Sequence, residues 1–186
     1  MVLIGLVARP DPVKDHPTFL RAAAMVAREH KDIHFVCIGD GPTEYRTKLE
    51  HLANDEGLNG KILWIGYCND MPSVYCALDM LCSASTGEAF SNVIGEAMAT
   101  QVPCIVTDVG DSSFVVGDTG VVVPPSNAHA LSMGLSYLLS ERREGLRARG
   151  QAGRYRILTE FSVEKLVQRT EASLLGLLSS RRERLQ

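Results

Sequence analysis

A chain of 186 residues with 45% apolar and 22% charged side chains is not disordered, and at this length a single domain buries about 70% of its extended surface. The formal charge of −3 excludes a general attraction to nucleic acid, while leaving room for a local positive pocket. Five cysteines (Cys37, Cys68, Cys76, Cys82 and Cys104) form no CxxC pair and are odd in number, which predicts reduced thiols in a cytoplasmic protein instead of a disulfide or zinc framework.

The first apolar run, VLIGLVA over residues 2–8, is too short for a signal peptide and reads as a strand buried on both faces, stopped by Pro10 and Pro12. No apolar stretch reaches the length of a membrane span. A helix is predicted from about Pro17, with Phe19, Ala22, Ala23 and Val26 on one face. IHFVCI (33–38) is the second strand; it ends in Gly39-Asp40-Gly41-Pro42, and Pro42 suits the first position of a helix carrying Tyr45, Leu49 and Leu52. Residues 62–65 and 80–83 are predicted as strands three and four, with a short helix over 71–77 between them. Then come a helix over 91–100 and two more strands at 104–107 and 120–123. After Pro124-Pro125 the chain reads as helical almost to its end, broken near Gly150–Gly153 and over 159–162. Arg181, Arg182 and Arg184 read as a solvated helix end.

Apolar strands alternating with helices predict an α/β domain: a Rossmann-like, three-layer structure on a parallel sheet. Ligands of such sheets bind beyond the carboxyl ends of the strands, so the loops after each strand are the candidate sites. Arg9 and Lys14 follow strand one and could neutralise a diphosphate, or be two solvated loop cations. Gly39 and Gly41 follow strand two and let backbone approach a ligand, though any strand-to-helix turn can use glycine. Tyr67 and Cys68 follow strand three, where extended backbone could bond a base edge; Tyr67 as plain packing is the alternative. No GxGxxG fingerprint is present, which argues against a dinucleotide oxidoreductase.

The fourth segment, TGEAFSNVIGEAMA from Thr86, carries the most information. Glu88 lies before a helix and Glu96 one to two turns inside it, while the amides of Phe90, Ser91, Asn92 and Val93 lie between. A helix start favours an anion, and an acid on either side suits hydroxyls flanking a diphosphate, as in a nucleotide-sugar. The competing reading makes Glu88 a solvated loop acid and Glu96 a packed or capped helix residue.

This segment resembles the E-x7-E signature of retaining glycosyltransferases related to sucrose synthases, bacterial mannosyltransferases and exopolysaccharide sugar transferases. The resemblance extends in order along the chain through ARPDPVKDHPTFLRA, IGDGP, IGYCNDMPSVYCALDMLCSAS, VPCIVTDVGD and GVVVPPSNAHAL. It implies the C-terminal, donor-binding lobe of a GT-B enzyme that binds a UDP- or GDP-sugar without a bound metal. Position by position it implies Arg9 and Lys14 on the diphosphate, Gly39 and Gly41 in the loop closing over it, Glu88 on the sugar and Glu96 on the ribose. It also implies phosphate contacts from the amides of residues 90–93. Two prolines between Arg9 and Lys14, and Asp111 in TDVGD where glycines and Pro-Glu are common, depart from the pattern. The whole chain, 1–186, is then expected to be one lobe. Its last helix (about 162–180) would turn toward an N-terminal acceptor-binding lobe, through which alone any peripheral membrane contact would run. A nucleotide-sugar 2-epimerase of the same fold and a non-catalytic nucleotide-sugar-binding module are the rival readings.

Overall fold

The computed structural model describes the backbone of residues 1–183 and the side chains of residues 1–177. The side chains of Arg181, Arg182 and Arg184 lie outside the described residues. Six strands, β1 (Val2–Val7), β2 (Ile33–Ile38), β3 (Ile62–Ile65), β4 (Met80–Ser83), β5 (Cys104–Thr107) and β6 (Val121–Val123), form one parallel sheet in the order β3-β2-β1-β4-β5-β6. Among the described residues eight α-helices accompany it: α1 (His16–Glu29), α2 (Thr43–Asp55), α3 (Met71–Cys76), α4 (Asn92–Ala99), α5 (Ser112–Val116), α6 (Ala128–Ser140), α7 (Arg143–Glu160) and α8 (Val163–Glu183), the last exposed along its described side chains.

The unbroken apolar runs have their cause in this layering. Along β1 and β2, Ile4, Leu6, Phe35 and Cys37 face a core closed by α1, α2 and α6, where Phe19 meets Phe35 edge-on at 6.0 Å. Val36 and Ile38 on β2, Leu81 on β4 and Val106 on β5 face a second core closed by α3, α4 and α5. Burial on both faces leaves no place for alternating polar residues. The chain reverses direction across the sheet between β1 and β4, which places a crevice at their carboxyl ends.

Several boundaries differ from the sequence reading. The helix expected from Pro17 starts at His16, capped by Asp15, whose carboxylate accepts from the Thr18 amide at 3.2 Å. Pro42 is the residue before α2, not its first residue. The expected break at Gly150–Gly153 is absent, because α7 runs through both glycines. They are buried instead: a Cβ on Gly150 would stand 2.0 Å from the Gln101 carbonyl, so the glycine lets α7 lie against the end of α4. The helical breaks fall at Glu141–Arg142 and Phe161–Ser162. Helix α5, one turn with no side-chain cap, was not expected from the sequence at all. Cys37, Cys82 and Cys104 are buried free thiols, and burial pushes all three up from the ordinary thiol range.

His16 is fully buried at the start of α1, and neither ring nitrogen has a hydrogen-bond partner. Burial pushes its pKa down to about 4, against the opposing pull of the Ala8 carbonyl and the Asp15 and Asp11 carboxylates. The unfolded chain takes up this proton near pH 6.5 and the folded chain only near 4. The contribution of the neutral ring to stability is therefore complete above pH 6.5 and is lost as pH falls through that window, by roughly 3 kcal/mol. Denaturant melts at pH 7 and pH 4.5 should show a markedly smaller acid loss for His16→Leu than for the unaltered chain; equal losses would contradict this account.

Candidate functional site

The loop after β1 is stiffened before it reaches its cations. The Ala8 amide bonds the Ile38 carbonyl at 2.9 Å, extending the ladder by one residue. The Asp11 carboxylate accepts from the Val13 amide at 3.0 Å, starting a single 3-10 turn (Pro12–Lys14), and pairs with Arg9 at 3.0 Å. The Val13 amide, and then Arg9, hold this carboxyl below its usual range. The turn delivers Lys14 onto Glu88: its ammonium donates to Glu88 Oε1 at 2.5 Å, and the Ser85 hydroxyl donates to the same oxygen at 2.7 Å. The two charged side chains are largely buried (28% and 12% exposed), whereas Arg9 is 70% exposed, so of the two cations Lys14 is the one held in place. A backbone bond of 2.8 Å from the Thr86 amide to the Val13 carbonyl fastens the two loops beside the ion pair.

A second strap holds the Glu88 loop from the other side. Thr107, the last residue of β5, donates its hydroxyl to the Ser85 carbonyl at 2.6 Å, and the Asp111 amide bonds the Ala89 carbonyl at 2.9 Å. Between them Gly110 has φ of 52°, and a Cβ there would lie 2.1 Å from the Glu88 carbonyl. Glycine is required by both the backbone conformation and the space. Gly39, with φ of 144°, plays the same part opposite, its Cβ position being 2.5 Å from the Ala8 carbonyl. Gly41 approaches the Pro10 carbonyl in the same way. These glycines pack the β2–α2 loop onto the β1–α1 loop.

Helix α4 begins at Asn92 after Ser91, whose hydroxyl makes no capping bond, so the first-turn amides have no side-chain partner from Ser91. Asn92 is exposed and Ser91 buried. The Phe90 ring turns aside to Phe161, 6.0 Å away, leaving its backbone as the part that can serve a ligand. Glu96, four residues into the helix, is exposed on one side and accepts from the Tyr75 hydroxyl at 2.7 Å.

Two adjoining hollows result. The larger, about 430 Å³, is lined by Arg9, Gly39, Tyr67, Cys68, Tyr75 and Glu96 among others. The smaller lies between Lys14, Ser85, Glu88 and Ser91, and the two share Val7, Ala8 and Val93 as floor. The structure thus brings residues from all four post-strand segments to one crevice. Tyr67 is 73% exposed and forms its rim. Another cleft, of about 510 Å³, lies at the opposite, amino ends of the strands, beside Val2, Asp79 and Pro103. None of the post-strand residues reaches it. No cluster of three or more His, Cys, Asp or Glu suited to a metal ion occurs among the described residues. Sequence reading missed Asp11, Ser85, Tyr75, Thr107 and Gly110. Of these Ser85 and Gly110 had a visible signal, each being a small residue shortly after an apolar strand.

A parallel six-stranded sheet with its crevice at the β1/β4 reversal, a partly buried lysine–carboxylate pair on one side and a second acid on the other, defines the Rossmann-like C-terminal lobe of a GT-B fold. The chain belongs to the family described as Glycosyl transferases group 1, whose profile matches residues 2–141. It is similar to the N-acetyl-alpha-D-glucosaminyl L-malate synthase of Bacillus anthracis, with 30% identity over 86% of this chain and 41% of that protein. The crystallised C-terminal domain of a group 1 glycosyl transferase (LpcC) from Francisella tularensis superposes with a TM-score of 0.78 at 28% identity, covering 87% of each chain. Anabaena HepE in complex with UDP-glucose shares the fold, with a TM-score of 0.83 at 20% identity over 94% of this chain and 48% of that one. The chain spans less than half the length of the Bacillus relative.

Adding one methyl group at the strap should disturb the site more than the core. Gly110→Ala must push the Glu88–Ala89 backbone away, so the Asp111 amide, bonded to the Ala89 carbonyl, should exchange its hydrogen markedly faster while far-ultraviolet circular dichroism stays unchanged. Unchanged exchange there would mean that the strap does not hold the acidic loop.

Proposed function

We propose that this chain is the donor-binding lobe of a retaining glycosyltransferase, holding a UDP- or GDP-sugar with its diphosphate between Lys14, Arg9 and the start of α4. The observation that carries this reading is the Lys14–Glu88 pair, a fixed cation and a fixed acceptor side by side at the carboxyl end of the sheet. A diphosphate supplies a better partner for the ammonium, and sugar hydroxyls supply donors for the carboxylate, so a single ligand satisfies both. Glu96, across the shared floor, takes the ribose, and the backbone near Tyr67 and Cys68 takes the base. The names of the relatives support the sugar-transfer class, and the UDP-glucose bound to HepE supports the ligand class.

In transfer, the bond from the anomeric carbon to the diphosphate oxygen breaks as the acceptor hydroxyl attacks the same face. The departing phosphate oxygen takes the acceptor's proton. The lobe's part is to stabilise the negative charge that builds on the leaving diphosphate, through Lys14, Arg9 and the amides at the start of α4. These groups supply the positive charge a metal would otherwise bring, so the reading includes no metal. The acceptor belongs on an N-terminal lobe, with α8 turned toward it. Val163, Leu166, Val167 and Leu174 give α8 an exposed apolar surface suited to that contact. The reading places the enzyme in the cytoplasm, with any membrane contact made by the other lobe. No helix among the described residues is long and apolar enough to cross a membrane.

Calorimetry with a nucleoside diphosphate tests this reading. A charge-assisted hydrogen bond is worth about 1.5–3 kcal/mol, so Lys14→Ala should weaken binding at least tenfold, and excess chelator should change nothing. Glu88→Gln should weaken the nucleotide-sugar and spare the free diphosphate. Undiminished affinity in Lys14→Ala, or binding that requires an added divalent cation, would overturn the assignment.

A further inference from the structure

Glu96 lies on the exposed side of α4, and a free glutamate there would sample many rotamers. Its Oε2 is instead fixed by the Tyr75 hydroxyl at 2.7 Å. Tyr75 is 1% exposed, on the one-and-a-half-turn helix α3, in the same core as Val36, Ile38 and Leu81. Helix α3 is itself pinned by Asp70, whose carboxylate accepts from the Ser73 amide at 3.2 Å. The hydroxyl is thus a fixed point set by the core. Burial, and after it the Glu96 carboxylate, push the phenol far above its ordinary range, so it remains a donor at any working pH. A buried hydroxyl with one acceptor holds that acceptor in return, since loss of the bond would leave it unsatisfied.

We propose that Tyr75 is a positioning residue for nucleotide recognition. It holds Glu96 in one rotamer, leaving Oε1 to accept from the ribose hydroxyls of a nucleotide lying in the larger hollow, which both residues line. The inference rests on the reading of Glu96 as the ribose acid. It adds that ribose selection depends on a residue outside the E-x7-E segment, acting through its bond to Glu96. Fixing the carboxylate beforehand removes the ordering cost on binding, so the gain shows only with a ligand that has hydroxyls to offer.

The test combines two protein variants with a change in the ligand. Whichever of UDP, GDP and ADP binds most tightly is titrated beside its 2′,3′-dideoxy counterpart. The intact chain, Tyr75→Phe, Glu96→Gln and the double variant are compared, with a thermal melt of each to confirm folding. Tyr75→Phe keeps the buried ring. It should cut the preference for the ribose form about three- to tenfold while leaving dideoxy affinity within about twofold. The double variant should match Glu96→Gln. Equal weakening of both ligands in Tyr75→Phe, or no change in either, while Glu96→Gln still erodes the preference, would overturn the positioning role and leave the ribose reading intact. If Glu96→Gln itself leaves the preference unchanged, the ribose reading fails and this inference fails with it.

Discussion

The Lys14 ammonium and the Glu88 carboxylate come from segments 74 residues apart and meet at 2.5 Å, and much of the architecture can be read as what that meeting requires. Two charges taken largely out of water lose hydration, and their mutual attraction offsets the loss only with good geometry and further hydrogen bonds. The structure provides both. Ser85 satisfies the same carboxylate oxygen, Thr86 and Val13 join the loops through backbone, and Asp11 sets the turn that aims the lysine. Gly110 and Thr107 press the acidic loop into place from β5. A ligand that takes over the lysine therefore enters a site already assembled, with little left to order.

The sheet makes this meeting possible. Because β1 and β4 are neighbours running in parallel, the loops that leave their carboxyl ends emerge side by side, one carrying Lys14 and the other Glu88. The loop after β2 folds onto the first through Gly39, and the loop after β3 lies beyond it. Each loop adds one portion of the crevice in the order of the strands. A long ligand with chemically distinct parts matches such a row.

Much of this could be read before the structure. The apolar runs of β2, β3, β4 and β5 have the limits read from the sequence: burial on both faces keeps β2, β4 and β5 apolar, and the edge strand β3 is apolar too, although Leu63 and Ile65 are exposed. In the sequence Gly150 and Gly153 read as punctuation, but a glycine in a helix can equally serve close packing, and only the neighbour, Gln101 at Gly150, decides which. Helix α5 is too short for periodicity to reveal. In the site, the residue types with charge or a helix-start position were legible as candidates. Their partners were not: neither Tyr75 nor Asp11 stands in a sequence pattern that marks it as one. A hydrogen bond across 21 residues, such as Tyr75 to Glu96, leaves no local trace in sequence.

The proposed site holds a nucleotide-sugar diphosphate between Lys14 and the start of α4, with Glu88 facing the sugar. A crystal structure of this chain with a bound UDP- or GDP-sugar tests it most directly. The account predicts the Lys14 ammonium within hydrogen-bond distance of a phosphate oxygen and a Glu88 oxygen on a sugar hydroxyl, with the base near Tyr67. A ligand seated in the cleft at the amino ends of the strands, or one in the crevice whose phosphates make no contact with Lys14, would contradict it.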